Sequence, residues 1–92
     1  MPLTRKVSFK TMLQKGNRVQ VPIVVRWQFK IDTEQVLKVT VHAINVFSGW
    51  EVFYARMGRD GRINIPKLQR ELLRGKEQDL TGYIMEVTLE SA

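Results

Sequence analysis

Residues 61–73, GRINIPKLQRELL, combine a glycine turn, a short alternating strand and a proline that precedes helix-forming residues. Ile63 and Ile65 alternate with polar residues, which is typical of a strand with one face on a core. Pro66 lacks an N–H and has φ preset at about −65°, so it stops a strand and suits the first turn of a helix. The following helix is predicted to have an apolar face made of three leucines: Leu68, Leu72 and Leu73.

The same arrangement occurs earlier in the chain, in residues 17–29, NRVQVPIVVRWQF. A shift of 44 residues places Arg18 on Arg62 and Pro22 on Pro66. By propensity alone the residues after Pro22 favour a strand, because three β-branched residues follow one another. The repeat predicts a short helix there instead, and we adopt that prediction.

Two halves of this kind, about 1–46 and 47–92, account for the whole chain as one domain. Each half is predicted to hold an opening strand, a polar turn (14–17 or 58–61), a second strand, a helix and a closing strand (35–46 or 83–90). A half of this size is too small to bury its own apolar faces, whereas two copies can close a small barrel without exposed edges. The predicted fold is therefore mainly β, a small six-stranded barrel with two short helices and pseudo-two-fold symmetry. The residues predicted to face its core from the closing strands are Val39, Val41, Val87 and Leu89.

The composition limits the classes of function. The net charge is +6 and there is no cysteine, so a polyanionic partner is favoured and a disulfide framework is excluded. No apolar run approaches the roughly 20 residues that span a bilayer, and MPLTRKVSFK at the start is not a secretory signal. We therefore predict a soluble, cytoplasmic protein without a membrane partner.

Catalytic chemistry has little support in the sequence. His42 is the only histidine and lies on the predicted outer face of a closing strand, where a cross-strand or solvated role is expected. The acid pairs Asp32/Glu34 and Glu77/Asp79 adjoin turns and are expected to be solvated rather than to bind a cation. We therefore predict no enzymatic activity, no metal site and no cofactor.

The repeated motif resembles a known family. RVQVPIVVRWQFKIDTEQVLKVTV (18–41), and GRINIPKLQRELL more closely at the helix, resemble the core of AbrB-like transition-state regulators and MazE antitoxins. Chains of that family carry one copy and pair as swapped-hairpin dimers, and two copies in one chain resemble a cradle-loop barrel, in particular a small archaeal single-chain barrel of the RIFT type. Whether the strands follow RIFT or fused swapped-hairpin connectivity stays open. The glycine that ends the family helix is replaced by Lys30 in the first half.

The resemblance implies binding to DNA, because AbrB-like dimers contact DNA through arginines of their loops and strands. The basic residues duplicated by the repeat are the predicted nucleic-acid-binding residues: Lys15, Arg18, Arg59, Arg62, Arg26 and Arg70. On this hypothesis the protein is a monomeric pseudo-dimer and a regulator-like DNA-binding module, with DNA favoured over RNA. The alternative for the arginines is that they pair with turn acids and hold the barrel together.

Two other functions stay open. The first is an RNA- or ribosome-associated barrel without catalysis, in which exposed aromatic residues stack on bases; Trp50 and Tyr54 are candidates, while core packing is favoured for Trp27. The second is a nucleotide-binding enzyme, since VFSGWEVFYARM (46–57) faintly resembles a segment of archaeal riboflavin kinases. The chain lacks the glycines that would approach phosphates in that segment, which argues against the enzyme.

Overall fold

The computed structural model describes residues 5–44, 49–74 and 81–92. Within these residues there are six strands and two helices, as predicted. The helix that the repeat predicted after Pro22 is present, against the β propensity of its residues. In chain order the elements are β1 (Val7–Met12), β2 (Arg18–Gln20), α1 (Ile23–Phe29), β3 (Leu37–Ala43), β4 (Glu51–Ala55), β5 (Arg62–Asn64), α2 (Lys67–Arg74) and β6 (Ile84–Ser91). The closing strand β3 begins two residues later than predicted, and its predicted end at 45–46 lies outside the described residues.

The strands form two antiparallel sheets. One has four strands in the order β1-β6-β3-β4, and the other is a ribbon of β2 and β5. The opening strand of each half pairs with the closing strand of the other half, since β1 pairs with β6 and β4 pairs with β3. No ladder of paired strands joins the two sheets in the described part of the chain. The coarse prediction of a mainly β fold is confirmed, and the closed barrel stays a prediction.

The strand registers obey the symmetry of the repeat. Phe9 lies opposite Val87, and its repeat counterpart Phe53 lies opposite Val39. Between the two closing strands, Thr40 lies opposite its own counterpart, Thr88. A pseudo-two-fold axis therefore passes through the centre of the four-stranded sheet.

A single hydrophobic cluster lies between the two sheets. The four core residues predicted in the closing strands are fully buried, and so are Val19 and Ile63 of the ribbon. Burying an aliphatic side chain of this size contributes about 1.5–3 kcal/mol to stability. Because both sheets turn their apolar faces toward this cluster, their outward faces point in opposite directions.

The helices differ from the sequence prediction in the faces that they bury. Leu73 is buried, but Leu68 is 61% exposed and Leu72 is also exposed. Trp27 on α1, expected in the core, is 73% exposed. The proline fixes where each two-turn helix starts, so the inward positions are those three, four and seven residues after it, which are Val25, Arg26 and Phe29 in α1.

The C-terminal end of α1 has a residue in an unfavourable conformation. Lys30 adopts φ +51° and ψ +49°, the left-handed region in which a side chain is strained, and its N–H donates to the carbonyl of Arg26. A glycine, which has no Cβ, would adopt this conformation without strain.

We expect Lys30→Gly to raise the free energy of unfolding by about 0.5–1 kcal/mol, because relief of the left-handed strain exceeds the added entropy of glycine in the unfolded chain. Urea unfolding followed by circular dichroism measures the change. Lys30→Ala is the control, since it removes the ammonium but keeps the Cβ. An equal gain from Lys30→Ala would contradict the explanation.

Candidate nucleic-acid interface

The two-stranded ribbon presents a polar, basic face to solvent. In each strand the central residue, Val19 or Ile63, points into the core. Because side chains alternate along a strand, the flanking residues all point outward. These four outward residues are Arg18, Gln20, Arg62 and Asn64.

The cross-strand register sets how these side chains are grouped. Arg18 lies opposite Asn64, and Gln20 lies opposite Arg62. The two arginines are therefore diagonal neighbours, about 7–8 Å apart at the backbone. The repeat shift exchanges the two pairs, so the pseudo-two-fold axis also passes through the middle of the ribbon.

The ribbon continues by one backbone hydrogen bond at each end. The N–H of Val21 donates to the carbonyl of Gly61 at 2.8 Å, and the N–H of Ile65 donates to the carbonyl of Asn17 at 3.0 Å. These bonds fix the turns 14–17 and 58–61 to opposite ends of the ribbon. The predicted residues Lys15 and Arg59 lie in these turns and are exposed. The structure thus brings four of the six predicted basic residues onto one surface, which we call the ribbon face: Lys15, Arg18, Arg59 and Arg62.

Arg62 has an acidic partner. Its backbone N–H donates to Oδ1 of Asp60 at 3.1 Å, and its Nη1 donates to Oδ2 at 3.0 Å. The Arg62 backbone N–H hydrogen bond, more than the guanidinium charge, holds the pKa of the Asp60 carboxyl below its usual range. The pair is exposed, so solvent screens it and it contributes little to stability.

Arg18 occupies the equivalent place without such a partner. Its guanidinium lies beside Gly16, where a Cβ would be 3.5 Å from Nε, and Gly16 is the repeat counterpart of Asp60. Arg18 forms no side-chain hydrogen bond or ion pair in the part of the chain that the structure describes, and it is exposed. Of the two arginines of the ribbon face, Arg18 can therefore contact a ligand directly, whereas Arg62 would first have to leave Asp60.

The other two predicted residues, Arg26 and Arg70, lie on the inward sides of the helices. Both are half-buried, and their Nε atoms are buried without a hydrogen-bond partner. The guanidinium of Arg26 lies so close to Gly61 that a Cβ on that glycine would be 2.6 Å from Cζ. This placement favours a packing role for the pair. The alternative of pairing with turn acids, which Arg62 fulfils with Asp60, does not occur for either of these arginines among the described residues, and Glu77 and Asp79 lie outside them.

The outward face of the four-stranded sheet carries exposed aromatic residues. Trp50 is 48% exposed, and its ring stacks on His42 with centroids 4.7 Å apart. Nδ1 of His42 is 2.8 Å from the carbonyl oxygen of Gly49, which agrees with the structural role expected for this histidine. Tyr54, 62% exposed, lies in β4 opposite Lys38 of β3.

The described residues contain no group of three metal-ligating side chains. Oδ1 of Asp32 accepts the backbone N–H of Glu34 at 2.9 Å, which shows that this acid stabilises its own turn. Within the described ranges, no helix is long and apolar enough to cross a membrane.

The sequence prediction did not include three residues that lie beside the basic residues of the ribbon face: Gln20, Asn64 and Asp60. The alternation of the strands places Gln20 and Asn64 beside the arginines, and the repeat alignment of Gly16 with Asp60 marks the acid as a departure from symmetry. Both signals are present in the sequence. Their meaning depends on the register between β2 and β5, which the sequence does not show.

No family model matches the chain, and no curated protein matches it. Among solved structures, the solution structure of PHS018 from Pyrococcus horikoshii is similar, with a TM-score of 0.72 and 24% sequence identity. The similarity covers 99% of this chain and 94% of that chain. The two chains therefore have the same fold over nearly their whole length.

Proposed function

We propose that this protein binds double-stranded DNA, as a monomeric pseudo-dimer of regulator-like type, by placing the ribbon face in the major groove. The observation that carries the proposal is the outward face of the ribbon, on which two diagonal arginines are flanked by two amide side chains. The major groove admits a two-stranded β-ribbon. Arginine is suited to guanine there, and asparagine and glutamine are suited to adenine.

The turns at the two ends of the ribbon supply charge for the DNA backbone. Lys15 and Arg59 project from opposite ends, so a ribbon in the groove brings them toward phosphates on both sides. The pseudo-two-fold axis through the ribbon matches the local two-fold symmetry of duplex DNA. The net charge of +6 adds a long-range attraction to any polyanion.

The proposal includes AbrB-like descent and a cradle-loop barrel of the RIFT type. It is supported by the order strand, turn, strand, proline and helix in both halves, and by the registers that the repeat shift interchanges. The partnering of each opening strand with the other half's closing strand is the arrangement expected of a dimer fused into one chain.

A second candidate function is binding of single-stranded RNA on the outward face of the four-stranded sheet. The observation that favours it is the exposed Trp50, stacked on His42, together with the exposed Tyr54 opposite Lys38. Bases stack on exposed aromatic rings, and a lysine beside them attracts phosphates. The two candidates use opposite sides of the molecule, so one experiment separates them.

We expect a titration of ¹⁵N-labelled protein with a short mixed-sequence DNA duplex to shift the amide signals of residues 14–20 and 58–64. Two to four phosphate contacts predict a slope of about −2 to −4 for log affinity against log salt, measured between about 50 and 200 mM. The same titration with single-stranded RNA is the comparison. Shifts with RNA alone, centred on Trp50 and Tyr54, would replace the DNA proposal with the second candidate. If neither nucleic acid shifts any signal, both candidate functions are wrong.

A further inference from the structure

The ribbon face is symmetric in its backbone and asymmetric in its chemistry. Arg18 and Arg62 occupy equivalent positions, but the residue two places before each is Gly16 in one case and Asp60 in the other. Asp60 binds Arg62 through both carboxylate oxygens, whereas the residue beside the Arg18 guanidinium is Gly16, which has no side chain.

We infer that the two ends of the ribbon face are not equivalent for binding and that the protein therefore recognises an asymmetric DNA site. Arg18 is the available contact. Asp60 is a specificity-determining residue, because it keeps Arg62 in an ion pair and away from the DNA. The inference rests on the proposed function and deepens it.

The geometry explains how Asp60 acts. The turn bonds from Gly58 to the carbonyl of Arg62 and from Gly61 to the carbonyl of Gly58 hold the carboxylate beside the start of β5. The guanidinium of Arg62 is therefore held against Asp60 in the preceding turn, and its Nε is buried. To reach a guanine or a phosphate, Arg62 must leave Asp60, and the carboxylate then faces the DNA unpaired. Arg18 reaches the same ligand without this cost.

The asymmetry also extends to the amides. Nε2 of Gln20 donates to the carbonyl of Asp60 at 2.8 Å, so the turn that holds Arg62 also holds its cross-strand neighbour. Asn64, opposite Arg18, has no side-chain hydrogen bond in the described part of the chain and is exposed. At one end of the ribbon face, the side chains of Arg18 and Asn64 make no hydrogen bond to the described residues. At the other end, the side chains of Arg62 and Gln20 are both hydrogen-bonded to Asp60.

This arrangement predicts the form of the target. A symmetric two-fold reader prefers a palindrome, because both half-sites receive the same contacts. Here the half-site under Arg18 and Asn64 supplies most of the discrimination, and the half-site under Arg62 tolerates substitution. Selection of preferred sequences from a random duplex library is expected to give a non-palindromic consensus.

The test is a set of single and double substitutions assayed for duplex affinity at low salt. Asp60→Asn keeps Oδ1 as an acceptor for the Arg62 N–H but removes the charge, and we expect a gain of about two- to fivefold, the size of an exposed ion pair. The slope of log affinity against log salt should steepen by about 1 as Arg62 takes up a phosphate. Asp32→Asn is the matched control, because Asp32 also accepts an N–H two residues on and makes no ion pair among the described residues. We expect it to change affinity by less than twofold.

A double-mutant cycle separates release of Arg62 from simple removal of a negative charge. In the Arg62→Ala background, Asp60→Asn should give no gain if Asp60 acts through Arg62. An equal gain in both backgrounds, or equal losses from Arg18→Ala and Arg62→Ala, would overturn this inference while leaving DNA binding intact. Absence of duplex binding in the wild type and in every variant would instead overturn the proposed function, and this inference with it.

Discussion

Gly61→Ala is expected to lower the free energy of unfolding by about 1–2 kcal/mol, which is a sizeable part of the stability of a domain of this size. Two costs add. Gly61 has φ +81°, where an alanine is strained by about 1 kcal/mol or more. The new Cβ would also lie 2.6–2.8 Å from three atoms of the Arg26 guanidinium, which is the end of a flexible side chain and moves aside at a small further cost. Urea unfolding followed by circular dichroism measures the loss.

Gly82→Ala is the matched control, because Gly82 has φ +90° and, apart from its chain neighbours, no atom of the described residues lies within 4 Å of its new Cβ. It should lose only the backbone cost, about 1 kcal/mol. In an Arg26→Ala background the clash is absent, so the cost of Gly61→Ala should fall to that of the control. Equal losses for Gly61→Ala in both backgrounds would show that contact with Arg26 does not set the requirement for glycine.

Arg18→Ala is expected to weaken duplex binding by about tenfold to a hundredfold, corresponding to about 1–3 kcal/mol for a specific arginine contact. The effect is large because Arg18 is exposed, lacks a partner in the described chain and lies at the free end of the ribbon face, opposite Asn64. Fluorescence anisotropy with a labelled duplex measures the affinity of each variant.

Lys10→Ala is the control for net charge, because Lys10 is exposed on β1, on the outward side of the four-stranded sheet. It removes the same charge on the side of the molecule that faces away from the ribbon, so its effect should stay below about threefold. If both variants weaken binding equally, the attraction comes from overall charge, and the ribbon has no special role.

The repeat allowed the sequence to predict elements that propensity alone would have missed. Residues 23–29 are rich in β-branched side chains, yet they form α1. The prediction was possible because their proline and their place between strands match those of α2. The alternation in the closing strands likewise identified the buried valines of β3 correctly. In the first case the information is a comparison of two halves of one chain, and in the second it is a local pattern, so a single sequence reveals both.

The burial of the helices depended on tertiary structure and was not predictable in the same way. In α2 the apolar pattern favoured Leu68 and Leu72 as core residues, but only Leu73 of the three leucines is buried. A two-turn helix contacts its sheet through a few positions, and the direction of the chain after Pro66 decides which ones. The same constraint leaves Trp27 in solvent and turns Arg26 inward.

The candidate site was predicted in part. The repeat singled out the basic residues, and four of them lie together because β2 pairs with β5. The sequence could not show that Arg26 and Arg70 would be half-buried, nor that Asp60 would bind Arg62, because both facts depend on distances between elements. The pairing of the opening strands with the other half was also not visible, since strand partners leave no trace in spacing.

That pairing has a consequence for how the chain acquires its structure. Val7 lies opposite Leu89, so the pairing of β1 with β6 closes a loop that contains nearly all residues of the sequence. Contacts so distant in sequence slow the search for the native state, and we expect folding to be slower than that of a helical domain of equal length. During synthesis, β1 cannot pair with a neighbouring strand of its sheet until β6 has left the ribosome. The pairing of each opening strand with the other half thus also delays completion of the fold until the last strand is in place.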